Sequence, residues 1–338
     1  MILAFEHIVS REFWRRVYPA DRSPRNPLAR IPTADYAATR REFLEIAPEW
    51  AYAEAMLSKT GGKTHSLVFE RNEKAHAGSH VSHVWSSNLP EESFYRLDDN
   101  LLVSSPEFTF LQHAGVSDVR ELIAYGNELC GNYAFDEATP RGFRTRIKPL
   151  TSKRKIARFL ANASGCYGSK RAKRALRYIV DGSASPMETT IEMANTLPCK
   201  KLGGYGLPAP MMNQAIPLDD NAKRIAGRTV CYADMCYPGI KLDIEYHGRF
   251  DHDDEESFDS DRARVNGLIE MGFEVIEITH QQFIDFRRYE AIVQHIARRL
   301  GKPVRAENLG YLDERVNLRA ILAAWNQSAG TPSCVRRS

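Results

Sequence analysis

The stretch LDIEYHGRFDH (Leu242–His252) sets Asp243, Glu245, His247 and His252 along and just beyond a strand-like run. Alternation along a strand puts Asp243, Glu245 and His247 on one face and Leu242, Ile244 and Tyr246 on the other. Upstream, VCYADMCYPG (230–239) carries Asp234, and Tyr237-Pro238-Gly239 is turn chemistry that folds the two runs into a hairpin. Residue 234 then lies roughly opposite 243–245. Glu188 follows Ser185-Pro186 at a helix start, where the helix dipole alone would also favour an acid. Asp261 and Arg264 open a later helix. Carboxylates crowded on neighbouring strands repel one another, so they are exposed, protonated or bridged by a cation. A hard cation, Mg²⁺ or Mn²⁺, takes carboxylate, water and phosphate oxygens and activates water against a phosphodiester. A solvated strand edge is the plain alternative.

The elements that must position these residues run helix, hairpin, helix, strand, helix. The pattern predicts a helix from Ser185 to about Asn195, strands over 228–236 and 240–247, and an amphipathic helix over 257–271 ended by Gly272. FEVIEITH (273–280) is a β-rich run, and a last clear helix spans 287–300, stopped by Gly301 and Pro303. GGYGLPAP (203–210) lacks a Walker lysine and reads as a shaped structural loop. Asp253 to Glu256 read as a solvated loop. Lys241 is a candidate to reach the site from the strand start.

The first 135 residues read as a mixed α/β module. A helix is expected around 34–57, strands over 65–70, 80–85 and 101–104, and helices from Ser105-Pro106-Glu107 and over 118–129. His65, His76, His80 and His83 have no Cys or acid at ligand spacing and read as surface polar residues on strand ends.

Net charge is only +3, but its distribution is uneven. From Arg141 to Val180 there are thirteen Lys or Arg and no acid; from Asp243 to Asp261 there are nine acids and one Arg. Two short basic helices, one starting at 151–156 and one over 169–180, are joined by NASGCYG. Arg154, Lys155, Arg158, Lys170, Lys173 and Arg174 are the candidate phosphate contacts, since nucleic acid relieves their repulsion and releases counterions. A solvated helical linker is the plain alternative, and no base-reading motif is visible. Six scattered cysteines form no CxxC pair, which fits reduced thiols in the cytoplasm. Glu6 and His7 break the apolar start too early for a signal peptide, and no stretch approaches a membrane span.

SPMET (185–189), GGYGLPAPMMN (203–213), YADMCYPGIKLDIEYHG (232–248), His252 and SDRARVNGLIEMGFEVIEIT (260–279) together resemble the PD-(D/E)xK nuclease superfamily, nearest to its Vsr-like (very-short-patch-repair-like) domains. The resemblance implies a restriction-endonuclease-like fold, a central mixed sheet flanked by helices. It implies that Glu188 orients water or metal, that Asp234 bridges Mg²⁺ or Mn²⁺, and that Glu245 is the second metal ligand. His247 stands where the superfamily has lysine; His252, Asp261 and Arg264 support the site. KTHSLVFERNEKAHAGSHVSHVW (63–85) and LLVSSPEFTFLQHA (101–114) resemble, more loosely, the AbiEi-type module of abortive-infection antitoxins. The implied organisation is a regulatory or recruiting module over 1–140, a basic helical segment over 141–182, a nuclease-like domain over 183–303 and an extension over 304–338 with a mobile tail. The expected function is a metal-dependent endonuclease acting on DNA in prokaryotic defence, mobile-element conflict or repair. The alternative is an inactive nuclease-fold regulator that binds DNA. RNA stays open as substrate, and a homodimer is compatible.

Overall fold

The computed structural model describes residues 3–5, 7–16, 29–30, 64–69, 71, 80–98, 101–136, 139–247, 255–302 and 311–327. The helix expected over 34–57, together with His76, His252 and the tail, lies outside the described residues. The fold is mixed α/β in two compact units. One comprises Met1–Leu129, Ala134–Ile179 and Gln327–Ser338; the other comprises Cys130–Tyr133 and Val180–Asn326. No helix among the described residues is long and apolar enough to cross a membrane.

In the first unit β1 (Leu3–Phe5), β2 (Ala29–Arg30), β3 (Thr64–Val68), β4 (His80–Val84), β5 (Phe94–Asp98) and β6 (Leu101–Ser104) form a mixed sheet in the order β2-β5-β6-β1-β3-β4. Helices α1 (His7–Arg16), α2 (Pro106–Val116) and α3 (Val119–Leu129) follow the chain around it, with a small β7–β8 ribbon (Ala134–Phe135, Phe143–Arg144). Ser105 starts α2 as expected: its hydroxyl accepts from Phe108 N, and Pro106 occupies the first turn. His65 is not a surface residue. It is buried in β3, and its Nδ1 lies 2.8 Å from His83 Nε2 on β4. The parallel β3–β4 pairing brings the two rings together, which spacing alone did not reveal.

The two basic helices belong to the first unit. In α4 (Lys153–Asn162) the buried stripe is Ile156, Phe159 and Leu160; in α5 (Ser169–Leu176) it is Ser169, Ala172 and Ala175. These i, i+3, i+4 and i+6 spacings turn the cations outward. Helix α5 stops four residues before the expected end at 180.

In the second unit α6 (Pro186–Thr196) and α7 (Cys199–Leu202) precede a four-stranded sheet. Its strands are β9 (Met211–Pro217), β10 (Val230–Tyr237), β11 (Leu242–His247) and β12 (Glu274–Thr279), in the order β12-β11-β10-β9. β9, β10 and β11 are antiparallel, and β12 joins β11 parallel. Between them come α8 (Asp220–Ala226) and α9 (Glu255–Glu270); α10 (His280–Ile284), α11 (Phe286–Arg299) and α12 (Leu312–Gln327) complete the unit. Met235, Tyr237, Leu242, Ile244 and Ile278 pack with Ile191 and Ala194 of α6 and with Tyr289, Val293 and Ile296 of α11. Cys231, Ala233 and Cys236 pack with Ala222 and Ala226 of α8 and Leu268 of α9. The sheet is therefore covered on both faces.

The GGYGLPAP loop is structural, as expected. Tyr205 N, Gly206 N and Leu207 N donate to Ala194 O, Leu197 O and Asn195 O, closing the end of α6. Gly204 has no room for a side chain, because a β-carbon there would stand 2.2 Å from Leu197 O. Helix α12 was not expected. It buries Leu318, Leu322 and Trp325 and lays Arg315 over Tyr205 and Arg319 over Phe286.

Candidate active site

Strand β10 changes face at Asp234. Cys231 and Ala233 lie in the cluster with α8 and α9, whereas Met235 and Tyr237 lie in the cluster with α6 and α11. Strict alternation would put all four on one face. The β9–β10 register runs Ala233↔Gln214 and Met235↔Met212, and between these pairs Asn213 has a φ of 47°. The β10–β11 ladder runs from Tyr237↔Leu242 to Met235↔Ile244. Beyond it Asp234 Oδ2 takes the place of a backbone partner, accepting from Tyr246 N at 3.2 Å. The pairing stays one-to-one through this point, so a break in the alternation of faces, with no residue inserted, sets the half-buried Asp234 beside Glu245.

Glu188 enters from α6. Ser185 caps that helix, accepting from Glu188 N at 3.1 Å, and Ser183 and Tyr133 anchor its start through Thr189. Glu188 Oε2 accepts from Ala184 N and from Asn213 Nδ2, both at 2.8 Å. Asn213 therefore joins the helix carboxylate to the sheet irregularity. Ser185→Ala will cost about 1 kcal/mol of stability, the usual value of a lost N-cap, checked by urea unfolding against wild type.

Asp243 and Glu245 come from β11, which is an inner strand, not an edge. They are 0% and 1% exposed, which removes the solvated-edge alternative for both. Arg264 on α9 holds Glu245 bidentately, Nη1–Oε1 at 2.5 Å and Nη2–Oε2 at 2.8 Å. It also donates to Tyr232 O and lies 3.7 Å from Asp261. Asp243 Oδ1 accepts from Met235 N at 3.3 Å. Asp243 Oδ2 is buried with no hydrogen-bond donor, and the Glu245 carboxyl neighbours the Asp243 side chain.

The electrostatics follow from this packing. Burial, then the charges of Glu245 and Glu188, hold Asp234 well above the usual carboxylate range. Burial and Glu245 push Asp243 up to about 9. Burial pushes Glu188 up to about 7 against the hydrogen bonds from Ala184 and Asn213. For Glu245, burial opposes ionisation, but the hydrogen bonds and charge of Arg264 prevail and hold it below the usual range. One arginine thus bears on the carboxyl groups of Asp234, Asp243 and Glu245.

The structure brings Glu188, Asp234, Glu245, Asp261 and Arg264 together. His247 leans toward β12, its Nε2 3.2 Å from Glu277 Oε1. Lys241 is not at the site: it sits in the turn with a φ of 49°, and its Nζ donates to Met271 O. Sequence reasoning gave no role to Asp243 or Asn213. Asp243 was legible from its shared parity with Glu245, but Asn213 carried no signal of its own. Of the candidate phosphate contacts, all six cations are exposed, and Arg158 is ion-paired with Glu92.

Oxygen donors suit a hard divalent cation, and Asp243, a fully buried carboxyl next to that of Glu245, requires either a proton or a cation. Asp234 and Glu245 would hold such an ion, with Arg264 as competitor for Glu245. Among the described residues, no three Cys, His, Asp or Glu side chains are placed to hold a metal ion as they stand. Compared with protein-family models, curated proteins and solved structures, the chain gives no significant match.

Proposed function

We propose that the second unit is a divalent-metal-dependent nuclease acting on DNA, and that the basic helices of the first unit contact the phosphate backbone. One observation carries this reading: the carboxyl groups of Asp234, Asp243 and Glu245 share a single arginine, Glu188 of α6 is near enough to feel the charge of Glu245, and Asp243 is fully buried beside the Glu245 carboxyl. A fold with no use for charge there would replace such groups with apolar ones at little cost. The run α6, β9, β10, β11, α9, β12, with short helices inserted, supports a restriction-endonuclease-like core. Glu188 on α6, Asp234 on β10 and Glu245 on β11 are compatible with the order in which the PD-(D/E)xK resemblance has them. Mg²⁺ or Mn²⁺ held by Asp234 and Glu245 would supply an activated water. Glu188 would orient that water, and His247 would stand in for the superfamily's lysine once turned from Glu277.

The test is calorimetric titration of Mg²⁺ and Mn²⁺ into wild type, Asp234→Asn and Asp234→Ala/Glu245→Ala, with supercoiled plasmid and structured RNA incubated alongside. Metal binding and nicking in wild type, both lost in the variants, is the expected result. Absence of heat and an intact plasmid in either metal would sink the nuclease reading. The Arg264–Glu245 pair favours a second reading, because an internal cation already neutralises the key acid. In it the unit is an inactive DNA-binding regulator. Metal-independent, salt-sensitive binding with no cleavage would establish that outcome.

A further inference from the structure

The turn between α4 and α5 carries an aromatic side chain that the fold does not use for its core. Tyr167 is 68% exposed, the most exposed large hydrophobic residue among those described. It is nevertheless held in place. Its backbone N donates to Ser87 Oγ, the adjacent Cys166 Sγ donates to Asn88 O, and Ser169 N closes onto Cys166 O. Its ring lies against Gly115 of α2, where a β-carbon would stand 2.5 Å from the ring Cε1. Glycine is a poor helix former, and here it clears one face of the ring's seat. Arg171 fixes the same corner from α5, with Nη1 donating to Ala114 O and Ser117 O.

Cations surround this ring in sequence and share its exposure. Arg154, Lys155, Lys170, Lys173 and Arg174 are exposed on the helices that flank the turn, and Arg177 is exposed just past the end of α5. None of these six makes an ion pair among the described residues. An aromatic ring presented from a fixed turn between two cationic helices suits a chain of phosphates with accessible base faces. A duplex offers the phosphates but keeps its bases stacked on one another. An acidic peptide offers charge but no flat partner for the ring.

We propose that this surface binds single-stranded nucleic acid, with a base stacked on Tyr167 and phosphates on Arg154, Lys155, Lys170, Lys173 and Arg174. The proposal rests on the nucleic-acid contact proposed for the first unit and is independent of the carboxylate cluster. It says which form of nucleic acid that surface prefers.

Fluorescence anisotropy of the full chain in chelator tests it, with no cleavage required. The probes are labelled oligothymidine, a matched oligomer of abasic sites and a duplex of the same length, at one fixed salt concentration. Oligothymidine is expected to bind more tightly than the abasic oligomer. Tyr167→Ala should weaken oligothymidine binding by about five- to a hundredfold, the range for loss of one stacked base, and should leave duplex binding unchanged. Tyr167→Trp should keep or improve it. Lys173→Gln/Arg174→Gln should weaken all three probes and flatten their salt dependence. Equal binding of oligothymidine by wild type and Tyr167→Ala would overturn the stacking proposal while leaving phosphate contact in place. Binding of no probe, or displacement by polyglutamate as effective as by oligothymidine, would overturn both.

Discussion

Replacing Arg264 with methionine will lower the stability of the second unit by about 3–5 kcal/mol, the cost of stranding one partner of a buried ion pair. Glu245 is 1% exposed, and both of its oxygens rest on the guanidinium. Without Arg264 the carboxylate keeps only the hydrogen bonds of the protonated Asp243 and Asp234 carboxyls beside it, with no positive charge to offset its burial. Glu245 must then take up a proton or draw in water, and either response loosens β11 from α9. The paired variant Arg264→Met/Glu245→Met should recover most of the loss, because apolar groups of similar volume replace buried pairs at little cost. Urea unfolding, with hydrogen exchange in β10 and β11 to assign the transition to this unit, reads both. A single-variant loss under about 1 kcal/mol, the value of an exposed pair, would mean that Arg264 does not neutralise a buried charge.

That clamp shows where the sequence was legible and where it stopped. Ser105-Pro106 and Ser185-Pro186 announced helix starts because capping is local chemistry, and both serines accept the expected backbone N–H. The hairpin around Pro238-Gly239 and the alternation of 242–247 are likewise local. Strand β9 was missed because MMNQAIP mixes Asn and Gln with apolar residues and ends in Pro, as an edge strand allows. Helix α12 was missed although Leu318, Leu322 and Trp325 keep i, i+4, i+7 spacing. Its buried side also carries Arg315 and Arg319, which read as polar until Tyr205 and Phe286 are found beneath them. At the site, spacing supplied Glu188, Asp234 and Glu245 but not the face change in β10. That change depends on Asn213, twenty-one positions away in sequence, adopting a positive φ on the neighbouring strand. The pairing of Arg264 with Glu245 is also a tertiary fact, since many geometries place an arginine on the following helix.

In chelator, the second unit will lose stability as pH rises from 5 to 9, and millimolar Mg²⁺ or Mn²⁺ will oppose that loss increasingly at the alkaline end. Glu188 is held up to about 7, Asp243 to about 9, and Asp234 well above the usual range. The same groups in the unfolded chain titrate near 4. Folded protein therefore keeps protons that unfolded chain has released. Their stabilisation is complete below about pH 4 and drains away as pH passes through the raised values. Each proton held changes stability by about 1.4 kcal/mol per pH unit, so one retained proton between pH 5 and 8 is worth about 4 kcal/mol. Glu245 works in the opposite sense: its pKa is lowered, so its contribution fades only on acidification, outside this window. A divalent cation substitutes for the protons, and its binding releases them, so it gains affinity as pH rises. Thermal unfolding across this pH range, with and without metal, measures both slopes. Asp243→Asn, which keeps the shape but cannot ionise, should flatten the chelator curve. Stability that stays level from pH 5 to 9 in chelator would mean the carboxylates are already ionised and hydrated. A metal effect of equal size at every pH would place the bound cation away from this cluster.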